Sequence, residues 1–167
     1  MSRPREDGIV IGTLEPGPRN SIADVGVTVG HVTVERTGVT AVVPPSLPAP
    51  AGTAVLNGAG ELTGSLEIRE WGGLGTPVYL TSTHAVGRVY DGAVSVAMAA
   101  DPRVGVDRVV IPVVGECDDS WLSDARVAYV KPDDVARRPA LQVLQVRDPD
   151  PVVRTEVGQR HRFGVQQ

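Results

Sequence analysis

The sequence predicts an α/β fold of the α+β kind, a mixed sheet with few helices. Apolar residues are 41% of the 167, mostly Val, Ala and Leu, while aromatics are only 4%. Val favours strands because its branched Cβ packs well on a pleated surface. Alternating or dense apolar runs of strand length recur along the chain, and only one long segment has helical spacing. Nineteen glycines and fourteen prolines fit many turns between short elements.

The elements follow in order. Val25 to Thr33 alternates, with Val27, Val29 and His31 on one face and Thr28, Gly30 and Val32 on the other. Gly38 to Val43 is a second strand, and the pair reads as an antiparallel hairpin. Pro44 to Pro50 is a proline-rich loop that interrupts the sheet pattern. Thr53 to Asn57 is read as a buried strand, followed by the glycine-rich stretch Gly58 to Gly64. Leu66, Ile68, Trp71 and Leu74 suggest a short helix, and Pro77 to Thr81 a strand. Ala85 to Ala100 is the main helix, carrying Val86, Val89, Tyr90, Ala93, Val96 and Ala97 near helical spacing and stopped by Asp101-Pro102. Val109 to Val114 is expected to be a buried central strand. Pro132 to Arg138 forms a short helix with proline early and carboxylates in its first turn. Pro139 to Gln167 changes character: Leu141, Val143 and Leu144 could add an edge strand, and beyond Pro149 little packing is expected.

Composition excludes several classes. The net charge is −4 with no basic stripe, so nucleic acid is not an expected partner. A single cysteine, Cys117, cannot form an internal disulfide, which favours a cytoplasmic location. The polar stretch from Met1 to Asp7 and the absence of an 18-residue apolar run show neither a secretory signal nor a membrane span. His31, His84 and His161 lie at no zinc-motif spacing from one another or from Cys117. No metal site and no cofactor are expected.

Two segments could carry chemistry. Asn57-Gly-Ala-Gly-Glu61 invites a phosphate-loop reading, since glycines let backbone N–H groups approach an anion. The glycines run G-x-G-x-x-x-G, however, and neither a ribose-binding acid nor a Walker lysine follows, so a tight turn is the simpler account. Glu116 to Asp124 places four carboxylates after the apolar run that ends at Val114. A strand end aims loop residues into a crevice. Such a cluster could take an ammonium group, hold Mg²⁺, act as acid and base, or be a solvated turn. There is no G-x-S-x-G elbow.

Several segments, in order, resemble one family. They are Asn20 to Val32, Thr37 to Pro44, Ala54 to Gly64, Glu70-Trp-Gly72, Thr76-Pro77 with Leu80 to Gly87, Ile111 to Asp119, and Trp121 to Asp124. The pattern is similar to the DmpA-like L-aminopeptidases and D-amino-acid esterases/amidases, which include β-peptidyl aminopeptidases of the BapA type, over about residues 18–136. The resemblance implies part of a four-layer α-β-β-α sandwich and an inactive chain of about twice this length. That chain cuts itself once to free an N-terminal Ser or Thr, which serves as nucleophile with its own amine as base. The two products, α and β chains, stay together, commonly in ring-like tetramers. The substrate is a peptide, or an amino-acid amide or ester. The resemblance also implies that Glu116 binds the substrate's free amine, with Asp118 and Asn57 near the site.

The sequence departs from the family pattern in three places: Asp118 stands where an aromatic residue is frequent, and Ser82 and Ser123 where Asn is frequent. The glycine-rich stretch late in the family's α chain, its oxyanion Asn and the nucleophile are not recognisable here. Residues 1–138 are therefore read as the α-chain part of a DmpA-like domain and 139–167 as a divergent tail. The function expected is the N-terminal part of a self-processing serine aminopeptidase or amidase, inactive by itself. A non-catalytic scaffold or binding subunit is the alternative, and a metal-dependent hydrolase using the 116–124 carboxylates the third. Partners are a β chain or further copies of this chain.

Overall fold

The computed structural model describes residues 4–136. The expected tail and its Leu141 to Leu144 strand lie outside that range, as do Arg137 and Arg138. Strands β1 (Thr28–Val34) and β2 (Thr37–Val43) form the antiparallel hairpin, with Val32 opposite Val39 and Val34 opposite Thr37. Glu35 makes the turn with a φ of 55°, the left-handed twist that a two-residue hairpin loop requires. In the proline-rich loop, β3 (Ala49–Pro50) pairs with β4 (Gly73–Leu74), which directly follows helix α1 (Ser65–Trp71). Leu74 thus belongs to a strand rather than to the helix.

Strand β5 (Val78–Ser82) joins β2 antiparallel, and helix α2 (Val86–Ala100) carries the chain over to β6 (Val113–Cys117), which runs parallel to β5. The order is β1-β2-β5-β6, a mixed sheet with few helices, as the composition predicts. Helix α3 (Pro132–Ala136) packs on α2. The Asp134 carboxylate accepts from the Lys131 backbone N–H at 2.8 Å, filling a donor left open at the helix start.

Two expectations are corrected. Thr53 to Asn57 is not a buried strand: it makes no ladder, and Leu56 is fully exposed. An apolar run becomes a strand only where a neighbour takes its backbone groups, and the pairing falls instead at Leu62, which bridges Gly115. The strand expected at Val109 to Val114 is shifted toward the C-terminus. Val109 is 82% exposed while Val113 to Gly115 are buried. Nor is it central among the described residues: there β6 ends the sheet order, and the Glu61–Thr63 stretch meets its outer edge.

Alternation sorts the sheet into two faces. Val39, Ala41, Val43, Tyr79 and Val114 pack with Val89, Ala93 and Val96 of α2 and Val135 of α3 into the main core. Burial there pushes the Tyr79 hydroxyl up to about 12. On the opposite face, α1 and the 47–51 loop cover one end through Ile68, Leu74, Val78 and Val113. No described element covers the other end, where Leu80 is 42% and Val29 44% exposed.

Candidate functional site

Parallel strands β5 and β6 end side by side, with Ser82 paired to Cys117. In sheets with parallel strands, the crevice outside the carboxyl ends is the usual place for a ligand. Here the segments leaving that edge carry Ser82 and His84 on one side and Glu116, Asp118 and Asp119 on the other.

Glu116 is half-buried near the end of β6, and its backbone N–H donates to the Glu61 carbonyl at 3.1 Å. The glycine-rich stretch is therefore a latch on the β6 edge. The Thr63 N–H donates to Val114 O at 3.0 Å, and the Thr63 hydroxyl accepts from the Val114 N–H at 2.8 Å while donating to Pro112 O at 2.7 Å. Two of its glycines leave room for neighbours. A Cβ at Gly60 would lie 2.8 Å from Glu116 Oε1, and Gly64, at φ 71°, would bring a Cβ 2.9 Å from the Val113 side chain. The first seats the Glu116 carboxylate against bare backbone; the second needs a left-handed residue with no side chain.

Asp118 is exposed. Its carboxylate accepts from the Ser120 N–H at 3.0 Å, and its acidity is strengthened by hydrogen bonding from Ser120 and by the charge of nearby His84. His84 Nδ1 donates to Ala125 O at 2.9 Å, tying the turn after β5 to the segment after β6. Asn57 is exposed and spends its side chain on its own turn, with Oδ1 accepting from the Ala59 N–H at 3.0 Å. Asp124 is held by Arg126 at 2.7 Å, and those hydrogen bonds lower its carboxyl to about 2. Among the described residues no three His, Cys, Asp or Glu side chains group to hold a metal ion. Three of the 116–124 carboxylates are taken by local donors: Asp118 by Ser120, Asp119 by Ser123 and Asp124 by Arg126.

Two hollows flank this end of the sheet. A shallow groove of about 570 Å³ on the open face is lined by His31, Thr40, Leu80, Ser82, Cys117 and Asp119 among others. A cavity of about 10 Å³ lies beneath the 119–130 segment, lined in part by Thr37, Ser82, His84, Asp119 and Ser123. Thr37, Ser82 and Asp119 line both. Asp119 belongs to the carboxylate cluster picked out in the sequence, but its company with Ser82 is not legible there, because only the β5–β6 register brings the two together. Glu116, Asp118 and Asn57 line neither hollow. No helix of the described residues is long and apolar enough to cross a membrane.

The fold is a mixed α/β scaffold with a strand-end site, and comparison with known proteins gives the family. The chain belongs to Peptidase family S58, matched over residues 20–158, a span that runs past Arg138. It is 36% identical over 162 residues to the β-peptidyl aminopeptidase BapA of Sphingosinicella microcystinivorans, covering 86% of this chain and 39% of that protein. A β-aminopeptidase of a Burkholderia species has a similar structure, with TM-score 0.74 and 41% identity over 85% of this chain and 43% of that one. The L-aminopeptidase D-Ala-esterase/amidase of Ochrobactrum anthropi superposes with TM-score 0.70 at 33% identity, over 83% of this chain and 43% of that one. Its structure is described as a variant of the Ntn hydrolase fold and as a prototype for serine aminopeptidases. The chain spans about two fifths of the length of these relatives.

Proposed function

We propose that this chain is the N-terminal part of a self-processing serine aminopeptidase or amidase that releases N-terminal residues from peptides, amides or esters. The observation that carries the reading is membership of Peptidase family S58 over residues 20–158, with aminopeptidases among its relatives. In this reading the nucleophile comes from a second part of the protein, which packs on the open sheet face. Residues 1–167 by themselves turn over no amino-acid p-nitroanilide. Turnover by the purified chain above that of a heat-denatured control would overturn this.

Within the site, Glu116 binds the substrate's free amine. Its half-burial at a rigid strand end, against Gly60 rather than a side chain, supports the role. A carboxylate there makes a charge-assisted hydrogen bond to an ammonium group, worth about 1.5–3 kcal/mol. In the full-length enzyme Glu116→Gln lowers kcat/KM roughly ten- to a hundred-fold, while self-cleavage, which presents no free amine to Glu116, proceeds. Unchanged peptide hydrolysis in that variant would remove Glu116 from the site. Asp118 and Asn57 are placed near the substrate in the same reading.

A second reading, a non-catalytic binding subunit, is favoured by Asp118, Ser82 and Ser123 standing where the family pattern has an aromatic residue and two Asn. Assaying the chain with its complementing half decides between them: restored hydrolysis supports the enzyme, and assembly without hydrolysis the subunit.

A further inference from the structure

Thr37, the first residue of β2, is only 9% exposed, and among the described residues its Oγ1 has no hydrogen-bond partner. Buried hydroxyls in folded proteins almost always find one, in protein or in ordered solvent. Thr37 lines the cavity of about 10 Å³ that lies between the start of β2, the end of β5 and the segment after β6.

We infer that this cavity is the site of one ordered water, bound to Thr37 Oγ1, which ties the hairpin to the 119–130 segment. The size admits a single water and no substrate group, since about 10–15 Å³ of such space holds one molecule. The walls disfavour an ion. An anion would sit beside Asp119 and Asp124, two acidic residues of the cavity wall. A cation would share the wall with Arg88, whose guanidinium donates to His84 O at 2.7 Å. Asp124 is already paired with Arg126, and Asp119 accepts from the Ser123 hydroxyl at 3.2 Å. The remaining requirement is for a neutral molecule that both donates and accepts. Water can accept from the Thr37 hydroxyl and donate to Ser82 or Asp119. The segment leaving Glu116 is then anchored to β2 through solvent.

High-resolution crystal structures of the chain and of Thr37→Ser and Thr37→Val, with amide hydrogen exchange on each, test this. The expected result is an ordered water about 2.8 Å from the residue 37 hydroxyl in the wild type and the Ser variant, and none there in the Val variant. Exchange across 119–130 should then quicken on the order of tenfold in the Val variant, with 39–43 unchanged. A Thr37 hydroxyl bonded to a protein group, including one from residues 137–167, would overturn the inference. So would an ion in the cavity, or a Val variant with unaltered exchange. Should Thr37→Val fail to fold, the wild-type and Ser structures decide the matter.

Discussion

The two faces of the sheet carry similar residues and have different fates. Val39, Ala41, Val43 and Val114 face α2 and α3 and are 0–4% exposed. On the other face Val78 and Val113 are covered by α1 and the 47–51 loop, whereas Leu80 lines the open groove and Val29 is exposed. The difference teaches that apolar character alone does not make a core. A residue contributes the roughly 1.5–3 kcal/mol of a buried aliphatic side chain only where another element closes over it. Apolar residues left uncovered at one end of a sheet are what a further layer would use, which fits the proposed packing of a second part of the protein there.

The largest effect should come from setting Val114→Asp beside Leu80→Asp. Val114 is fully buried, and an unpaired carboxylate there should cost about 4 kcal/mol or more and unfold the chain. Leu80→Asp should cost less than about 1 kcal/mol in the isolated chain and improve its solubility. Chemical denaturation of both variants reads this out, and equal losses would show the open face to be as well packed as the core.

Gly92→Ala probes how closely the covered face is sealed. A Cβ there would run into Pro132 O and come 2.6 Å from a Val135 methyl, so α2 and α3 must separate. Although Ala is the better helix former, the variant should lose about 1–3 kcal/mol. A stabilised Gly92→Ala would mean that α3 is held loosely.

The smallest effect belongs to Glu67, on the helix that thinly covers part of the other face. Its Oε2 is buried without a partner among the described residues, and desolvation raises its pKa. A carboxyl whose folded pKa lies above its unfolded value stabilises the fold at low pH. That contribution is lost as pH rises through the unfolded and then the folded value. Glu67→Gln should therefore melt slightly higher than wild type at pH 7, by on the order of 0.5 kcal/mol, and the gain should vanish below about pH 4. A melting temperature that falls at pH 7 would show that Glu67 has an ionic partner.

Much of the fold was legible because it rests on local pattern. The alternation in β1 and β2, the apolar stripe of α2 and the stop at Asp101-Pro102 each depend on residues a few positions apart. The strand at 53–57 was misjudged for the opposite reason. Val55 and Leu56 look buried in the sequence, but burial depends on a partner strand, and Leu62 took that place. The carboxylates from Glu116 to Asp124, Asp119 among them, could be picked out as a cluster from the strand before them. That Asp119 shares a hollow with Ser82 and Thr37 could not, because the three meet only through the β2–β5–β6 register.

The sequence by itself determined the class of fold, the long helix, the hairpin and the family, since periodicity and an ordered set of motifs are properties of the chain alone. The tertiary structure alone decided which face of each strand is buried, that β6 is an edge strand latched by Glu61–Thr63, and that Gly60 and Gly64 are there for space. The latch and the glycine contacts join residues about fifty positions apart. Such contacts are set by which elements close over one another, and no local pattern records that.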